Sequence, residues 1–270
     1  MTPKILRLSK SGHRVAFQDQ GSGEPLILLH GVGMQSAAWA PQIAALEGAY
    51  HVIAPDLPGH GGSDPLPDGS QLPDFVRWCE DVISTLNLGP VNLAGHSMGA
   101  LIAVGYATQH PDMLRRVALL NGVYRRDATA SAAVKSRAAE IRRGQIDLET
   151  PLARWFDDTA ADRAARALVA GWLGAVDVKG YGTAYSAFAH GDATYATQLS
   201  SIACPFLALT GDKDQNSTPA MSQAMSDEVL KGHCVVIPGH RHMVNLTAAV
   251  QVNAHVLAWL KQPEFAKAGP

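Results

Sequence analysis

Apolar and polar positions along the first half of the chain predict strands and helices in turn. Residues 4–8 and 13–19 alternate between apolar and polar side chains across a short polar turn, which predicts a β-hairpin. Short segments rich in apolar residues follow, and such segments are typical of strands buried on both faces of a parallel sheet. They are Pro25–Leu29, His51–Ala54, Val91–Ala94 and Arg116–Leu120.

Segments with helical spacing separate these strands. Residues 73–86 carry Phe75, Trp78 and Val82 on one side of a predicted helix, and residues 37–47 and 97–109 are also predicted to be helical. Strands that alternate with helices in this way are typical of an α/β fold. We therefore predict a mostly parallel central sheet with flanking helices.

The alternation stops at about residue 123 and resumes at about residue 196. The stretch between them is rich in alanine and mostly helical in pattern. The later elements are predicted at Pro205–Thr210, 219–230, His233–Ile237 and 247–261. We predict one core domain, residues 1–122 and 196–270, with a helical lid insertion at residues 123–195. The tail after Pro263 is expected to fray.

Composition narrows the class of protein. The chain has 270 residues, of which 47% are hydrophobic and 17% are charged, and its net charge is -2. The apolar fraction is too high for a disordered chain, and the near-neutral charge predicts neither nucleic acid nor a membrane surface as partner. A small-molecule substrate is expected instead. The oligomeric state stays open, with a homodimer as one candidate.

Cysteine usage and the first residues bear on the compartment. Cys79, Cys204 and Cys234 are few, odd in number and far apart, so no disulfide framework is predicted. Residues 1–14 lack the apolar segment of a signal peptide, and no apolar run is long enough for a membrane span. We therefore expect a cytoplasmic protein.

The sequence Gly95-His96-Ser97-Met98-Gly99 fits the G-x-S-x-G pattern of a nucleophilic serine on a sharp turn. It follows a predicted strand and opens a predicted helix, which is the context that the pattern requires. Only small residues fit on either side of such a turn. The helix that begins beyond Ser97 favours developing negative charge at its N-terminus.

A serine hydroxyl needs a base, and the base needs a carboxylate that orients it. His240 and His242 follow the last predicted strand, and Asp212 and Asp214 follow the strand before it. Both loops are expected at the carboxyl edge of the parallel sheet, where active sites usually lie. Their spacing alone does not decide which histidine is the base or which aspartate is the acid.

Five segments together resemble the α/β-hydrolase superfamily over essentially the whole chain. They are Leu28–Gly31, Asp56–Ser63, Gly95–Gly99, Thr210–Asp214 and His242–Leu246. The resemblance implies an α/β-hydrolase fold with Asp214 as the acid and His242 as the base. It also implies an oxyanion site formed by the backbone amides of Val32 and Met98, with His30 in a structural role. Thr247 stands where the family often has an acidic residue and is expected to cap the last helix.

The insertion bears on the substrate. Eleven of the 22 Lys and Arg residues fall between Arg115 and Arg166, against seven acidic residues. Arg125 and Arg126 follow the strand that ends near Asn121, so they are the first candidates to bind a substrate carboxylate. The segments 179–182, 189–192 and 202–205 resemble the 3-oxoadipate enol-lactonase branch of the superfamily.

The resemblance implies a cofactor-free serine hydrolase that cleaves an ester or a lactone in a small, carboxylate-bearing product of aromatic-ring degradation. Alternatives are a carbon–carbon hydrolase of the meta-cleavage-product type and a cofactor-free haloperoxidase or perhydrolase-like esterase. A non-catalytic small-ligand receptor on the same fold is the alternative of another class. No metal site is predicted, since His240 and His242 have no third ligand at a convincing spacing. The glycine-rich stretches match no nucleotide-binding motif.

Overall fold

A computed structural model describes residues 3–264, and a sheet of eight strands lies at its centre. The strands are β1 (Lys4–Arg7), β2 (Arg14–Gln20), β3 (Glu24–Leu29), β4 (Tyr50–Pro55), β5 (Val91–His96), β6 (Leu114–Leu120), β7 (Phe206–Gly211) and β8 (Gly232–Ile237). Their order across the sheet is β1-β2-β4-β3-β5-β6-β7-β8. β2 pairs antiparallel with β1 and β4, and the remaining pairs are parallel. The predicted hairpin and mostly parallel sheet are confirmed.

Helices cover both faces of the sheet. They are α1 (Ala40–Leu46), α2 (Leu72–Leu86), α3 (Met98–Gln109), α4 (Ala128–Arg142), α5 (Glu149–Trp155), α6 (Ala160–Gly174), α7 (Val178–Gly191), α8 (Pro219–Glu228), α9 (Val244–Thr247) and α10 (Ala249–Leu260). Side chains alternate across a strand, so Ile27 and Leu29 of β3 enter one core with α2 and α3. Leu26 and Leu28 enter the other core with α1 and α10. This two-sided burial explains why the central strands are continuous apolar runs.

The stretch between β6 and β7 is helical throughout its regular structure. Residues 121–205, all of which the structure describes, contain α4, α5, α6, α7 and a short 3-10 helix, Ala196–Ser201, but no strand. Helices α4 and α7 pack against each other, and α7 also contacts α2 and α3 of the core. Residues of α4, α5 and α7 line the cavity that also contains Ser97, directly after β5.

Two helix predictions need correction. The helix predicted at 37–47 begins as a 3-10 turn at Ser36–Trp39 and becomes α-helical only at Ala40. The helix predicted at 247–261 is interrupted at Ala248, so Thr247 ends α9 and does not cap α10. The Thr247 hydroxyl instead donates a hydrogen bond to the backbone oxygen of Met243. From residue 265 onward, the tail that was expected to fray lies outside the described residues.

The three cysteines are all free, with Cys79 and Cys204 buried and Cys234 partly so. Across residues 3–264, no helix combines the length and the apolar character that crossing a bilayer requires.

Candidate active site

Ser97 occupies the turn between β5 and α3, with a strained backbone. Its φ of 52° and ψ of -110° lie where side chains other than glycine are rare. A Cβ on Gly95 would lie 2.1 Å from the backbone oxygen of Gly99, and a Cβ on Gly99 would lie 2.1 Å from that of Leu29. Because these obstacles are backbone atoms, both positions require glycine. The G-x-S-x-G pattern therefore forms the sharp strand-to-helix turn that it predicted.

The loop after β3 passes directly beside the nucleophile. A Cβ on Gly31 would lie 2.8 Å from Nδ1 of the buried His96 and 3.2 Å from the Cβ of Ser97, so glycine allows this close approach without displacing either residue. The backbone amides of Val32 and Met98 are buried, and within residues 3–264 neither has a hydrogen-bond acceptor. Two buried amides without acceptors beside a nucleophile are what an oxyanion site requires. Their role as oxyanion donors stays a prediction.

His30 holds this loop in place. Its Nε2 accepts a hydrogen bond from the amide of Leu57 at 2.8 Å, so Nδ1 carries the proton and donates to the Gly31 oxygen at 2.8 Å. Burial, reinforced by the charge of His60, moves the pKa of His30 well below its ordinary value. A neutral imidazole with both nitrogens occupied braces the backbone, in agreement with the structural role expected for it.

The second segment of the resemblance, residues 56–63, also supports the loop. His60 Nε2 accepts from the amide of Gly33 at 2.8 Å, and Asp56 accepts from the amides of Ser36 at 2.7 Å and Gly62 at 2.9 Å. The backbone around the predicted oxyanion site is therefore fixed by side chains from the neighbouring loop.

Asp214 and His242 form the predicted acid–base pair. His242 Nδ1 lies 2.8 Å from Asp214 Oδ2, and both side chains are almost fully buried. The other carboxylate oxygen accepts from the amides of Asn216 at 2.8 Å and Ser217 at 3.1 Å. Asp214 therefore fixes the imidazole with Nδ1 as donor, which leaves Nε2 free to take a proton.

Asn121 is a supporting residue that the sequence analysis missed. It lies at the end of β6 with a φ of 49°, and its Nδ2 donates to Asp214 Oδ2 at 2.8 Å. Burial is the largest single effect and raises the pKa of Asp214. The charge and hydrogen bond of His242, with the hydrogen bonds from the Asn121 side chain and the Ser217 amide, together outweigh burial, so the pKa lies below its ordinary value. The carboxylate is thus ionised in its buried position.

The competing acid and base candidates lie elsewhere. His240 Nδ1 is 3.0 Å from the hydroxyl of Thr247, and the exposed Asp212 accepts from the amide of Gly239 at 2.7 Å. Neither side chain lines the cavity beside Ser97. The structure therefore brings Asp214 and His242 together with Ser97, and separates Asp212 and His240 from them.

Ser97 and His242 line the same cavity, but no hydrogen bond joins their side chains in the described residues. Such contacts are often long in an unliganded enzyme and shorten when substrate binds. The His242 ring packs against Trp155, with 5.6 Å between the ring centroids and 30° between the ring planes.

His96 supports the backbone at His242. Its Nε2 donates to the His242 backbone oxygen at 2.9 Å, because a carbonyl can only accept. Burial, together with the charge of His242, lowers the pKa of His96 to about 3, so His96 is neutral.

The cavity beside Ser97 has a volume of about 400 Å³, and residues of α4, α5 and α7 form part of its wall. Three arginines line it: Arg126, Arg137 and Arg154. Burial raises the pKa of the Tyr185 phenol in its wall, and Arg137, Arg126 and Arg154 oppose that rise. Two acidic residues, Glu140 and Asp147, line the same cavity. The sequence analysis named Arg126 but missed Arg137 and Arg154.

The expectation for Arg125 is wrong in its placement. Arg125 has a φ of 42°, which turns its side chain away from the cavity. Its guanidinium lies 3.2 Å from the carboxylate of Glu228 and 4.8 Å from the centre of the Tyr124 ring. It is therefore a half-exposed surface residue and not a lining residue.

Within residues 3–264, no group of three or more His, Cys, Asp or Glu side chains is placed to hold a metal ion. His240 and His242 in particular point to different partners, Thr247 and Asp214. Ser97, His242 and charged side chains of both signs line the cavity instead.

Comparisons with known proteins show which family the chain is similar to. A sequence profile described as the alpha/beta hydrolase family matches residues 26–255. The (E)-2-((N-methylformamido)methylene)succinate hydrolase of Acinetobacter baylyi is 50% identical over 261 residues, which cover 97% of this chain and 99% of that protein.

Two solved structures share the fold. A thermophilic esterase from Thermogutta terrifontis, with malate bound, has a TM-score of 0.87 at 23% identity and covers 97% of this chain and 98% of its own. The enol-lactonase of Burkholderia xenovorans has a TM-score of 0.85 at 23% identity and covers 96% of this chain and 100% of its own. At such identities the likeness concerns the fold alone.

Proposed function

The chain belongs to the alpha/beta hydrolase family, and on that premise we propose that it is a cofactor-free serine hydrolase that cleaves an acyl bond in a small, carboxylate-bearing molecule. The observation that carries this proposal is the meeting of two features in one cavity. Ser97, His242 and three arginines line one cavity, and His242 contacts the buried Asp214 carboxylate.

The reaction follows from the positions of the side chains. His242 Nε2 takes the proton from the Ser97 hydroxyl as its oxygen attacks the acyl carbon, while Asp214 stabilises the imidazolium. The amides of Val32 and Met98 donate to the oxyanion that forms. His242 then returns the proton to the leaving group, and water, activated in the same way, releases the acyl group from Ser97.

The substrate class rests on charge and size. A cavity of about 400 Å³ accommodates a small metabolite. Arginine in a partly enclosed cavity favours carboxylates, which match its planar pair of donors. The name of the 50% identical relative describes a succinate, hence two carboxylates, with an N-methylformamido group. We therefore place a carboxylate-bearing formamide first among the substrates, and an ester or enol lactone of the same size second.

Serine attack on a formamide and on a lactone differ only in the leaving atom. With the formamide, the C–N bond breaks, His242 protonates the leaving nitrogen, and water releases formate from Ser97. With the lactone, the C–O bond breaks and the leaving oxygen stays on the same molecule as the acyl group. A carbon–carbon hydrolase would use the same three side chains on a dienoate, and its products would reveal it.

The free thiols of Cys79, Cys204 and Cys234 support the cytoplasm as the proposed compartment.

We expect the purified protein to hydrolyse (E)-2-((N-methylformamido)methylene)succinate with release of formate, and to discriminate against its dimethyl ester. Hydrogen bonds to charged groups contribute about 1.5–3 kcal/mol, so kcat/KM should differ by about tenfold or more. Formate release and the loss of substrate absorbance measure the hydrolysis rates of the diacid and of its dimethyl ester. The same comparison is made with an enol lactone that carries a carboxylate and with one that lacks it. Preference for the neutral compounds, or turnover of neither pair, would contradict the proposed substrate class.

A further inference from the structure

The three arginines of the cavity differ in the partners that they already have. Arg126 is almost fully buried and lies 3.1 Å from the equally buried carboxylate of Asp192. Its guanidinium also stacks on the Phe188 ring, 4.4 Å from the centroid, and donates to the Phe188 oxygen at 3.4 Å. This arginine joins the loop after β6 to α7, and its charge is neutralised within the protein.

Arg137 is also engaged. Its Nη1 lies 3.5 Å from an Asp147 carboxylate oxygen, and its Nη2 donates to the Asp147 backbone oxygen. Its guanidinium carbon lies 5.9 Å from the centre of the Tyr185 ring. Both branches of the guanidinium therefore hold the segment between α4 and α5, and its charge has a carboxylate partner.

Arg154 has no such partner. In residues 3–264 no carboxylate lies within 4.0 Å of its guanidinium, and its side chain donates one long hydrogen bond, of 3.4 Å, to Asn216 Oδ1. It is exposed in the free protein, so little desolvation opposes its charge there. Of the three cavity arginines, it is the one with donors free for an incoming anion.

The backbone that carries Arg154 is fixed to the catalytic loops. Its neighbour Trp155 stacks on His242. Arg241 Nη1 donates to the backbone oxygens of Ala153 and Arg154, both at 3.4 Å, and Arg241 Nε lies 2.7 Å from Asp157. The end of α5 is thereby tied to the residue before the base, so Arg154 starts from a defined position beside the catalytic groups.

We propose that Arg154 is the residue that binds the substrate carboxylate and so determines specificity, while Arg126 and Arg137 hold the wall of the cavity. This assignment rests on the proposed function. A carboxylate entering the cavity replaces the weak Asn216 contact with a two-pronged ion pair. Because Arg154 is anchored next to His242, the ion pair fixes which carbonyl of the substrate faces Ser97.

The test compares variants on a chromogenic pair, the 4-nitrophenyl monoester of succinate and its methyl ester. For Arg154→Gln, we expect kcat/KM on the carboxylate-bearing ester to fall by about 10- to 100-fold, mostly through KM, with the neutral ester unchanged. Arg154→Lys should recover part of the loss, since an ammonium keeps the charge but lacks the planar pair of donors. Arg163→Gln is the matched control, because Arg163 is an exposed lid arginine outside the cavity, and both rates should stay unchanged.

Succinate binding gives a second measurement that needs no turnover. By calorimetry, Arg154→Gln should weaken binding of succinate by about tenfold or more, and Arg163→Gln should leave it unchanged. If the wild type binds succinate in this Arg154-dependent way but hydrolyses neither ester, the proposed function fails and the assignment stands. Equal losses on both esters, or unchanged succinate binding in Arg154→Gln, would overturn the assignment. A selective loss in Arg137→Gln without one in Arg154→Gln would overturn it as well.

Discussion

Replacement of Ser97 by alanine is expected to lower kcat by about 10⁶-fold and to leave the fold intact. In serine hydrolases the nucleophile and its base act as a unit, and losing either one costs about this much. Ser97 is buried, and alanine keeps the Cβ that the turn already accommodates at a φ of 52°. Turnover of the best substrate of the panel measures the first effect, and thermal unfolding, which should match that of the wild type, measures the second.

His242→Ala should be about as damaging as Ser97→Ala, and His240→Ala is its matched control. Both histidines follow β8, two residues apart, but only His242 contacts Asp214 and lines the cavity. His240→Ala should lose little beyond its contact with Thr247. Inactivity of His240→Ala together with an active His242→Ala would show that the assigned base is wrong.

Asp214→Asn is expected to lower kcat by about 10⁴-fold, by analogy with the serine-protease triad. The amide is isosteric with the carboxylate, but it cannot stabilise an imidazolium and it can orient His242 in the wrong tautomer. Asp212→Asn, two residues away, should retain near wild-type kcat, because among the described residues the exposed Asp212 carboxylate accepts a hydrogen bond only from the amide of Gly239. A larger loss in Asp212→Asn than in Asp214→Asn would refute the assignment of the acid.

Strands and turns near the nucleophile could be predicted well because local constraints dictate them. The apolar runs of β3 and β5 are buried on both faces, as is typical of the central strands of a parallel sheet. Gly95 and Gly99 are required by backbone atoms only 2.1 Å from where a Cβ would stand. Burial dictates which positions are apolar, and steric fit dictates which positions are glycine. The apolar pattern and the G-x-S-x-G motif were therefore sufficient to predict these elements.

Side-chain direction in the lid could not be predicted in the same way. Arg125 and Arg126 are adjacent, yet the left-handed backbone at Arg125 sends one guanidinium to Glu228 and the other to the cavity. Arg137 and Arg154 reach the cavity only because α4 and α5 form part of its wall. The packing of helices against one another depends on tertiary contacts, and residue spacing alone does not encode it.

The choice of acid and base came from resemblance, and the contacts of the folded chain give its physical reason. The Asp214 carboxylate accepts four hydrogen bonds, from His242, Asn121 and the amides of Asn216 and Ser217. Asn121 directly follows β6, Asn216 and Ser217 lie in the loop after β7, and His242 lies in the loop after β8. Nothing in the spacing of Asp212 and Asp214 could have revealed them.

Labelling with a fluorophosphonate tests most directly whether Ser97 is an activated nucleophile. The reagent reacts with serines that a base has activated, so the account predicts one phosphonyl group per chain, located by peptide mass spectrometry on Ser97. The same label should be strongly reduced in His242→Ala and unaffected in His240→Ala. An unlabelled Ser97 in a folded protein, or a label on another residue, would contradict the account and favour a binding protein on the same fold.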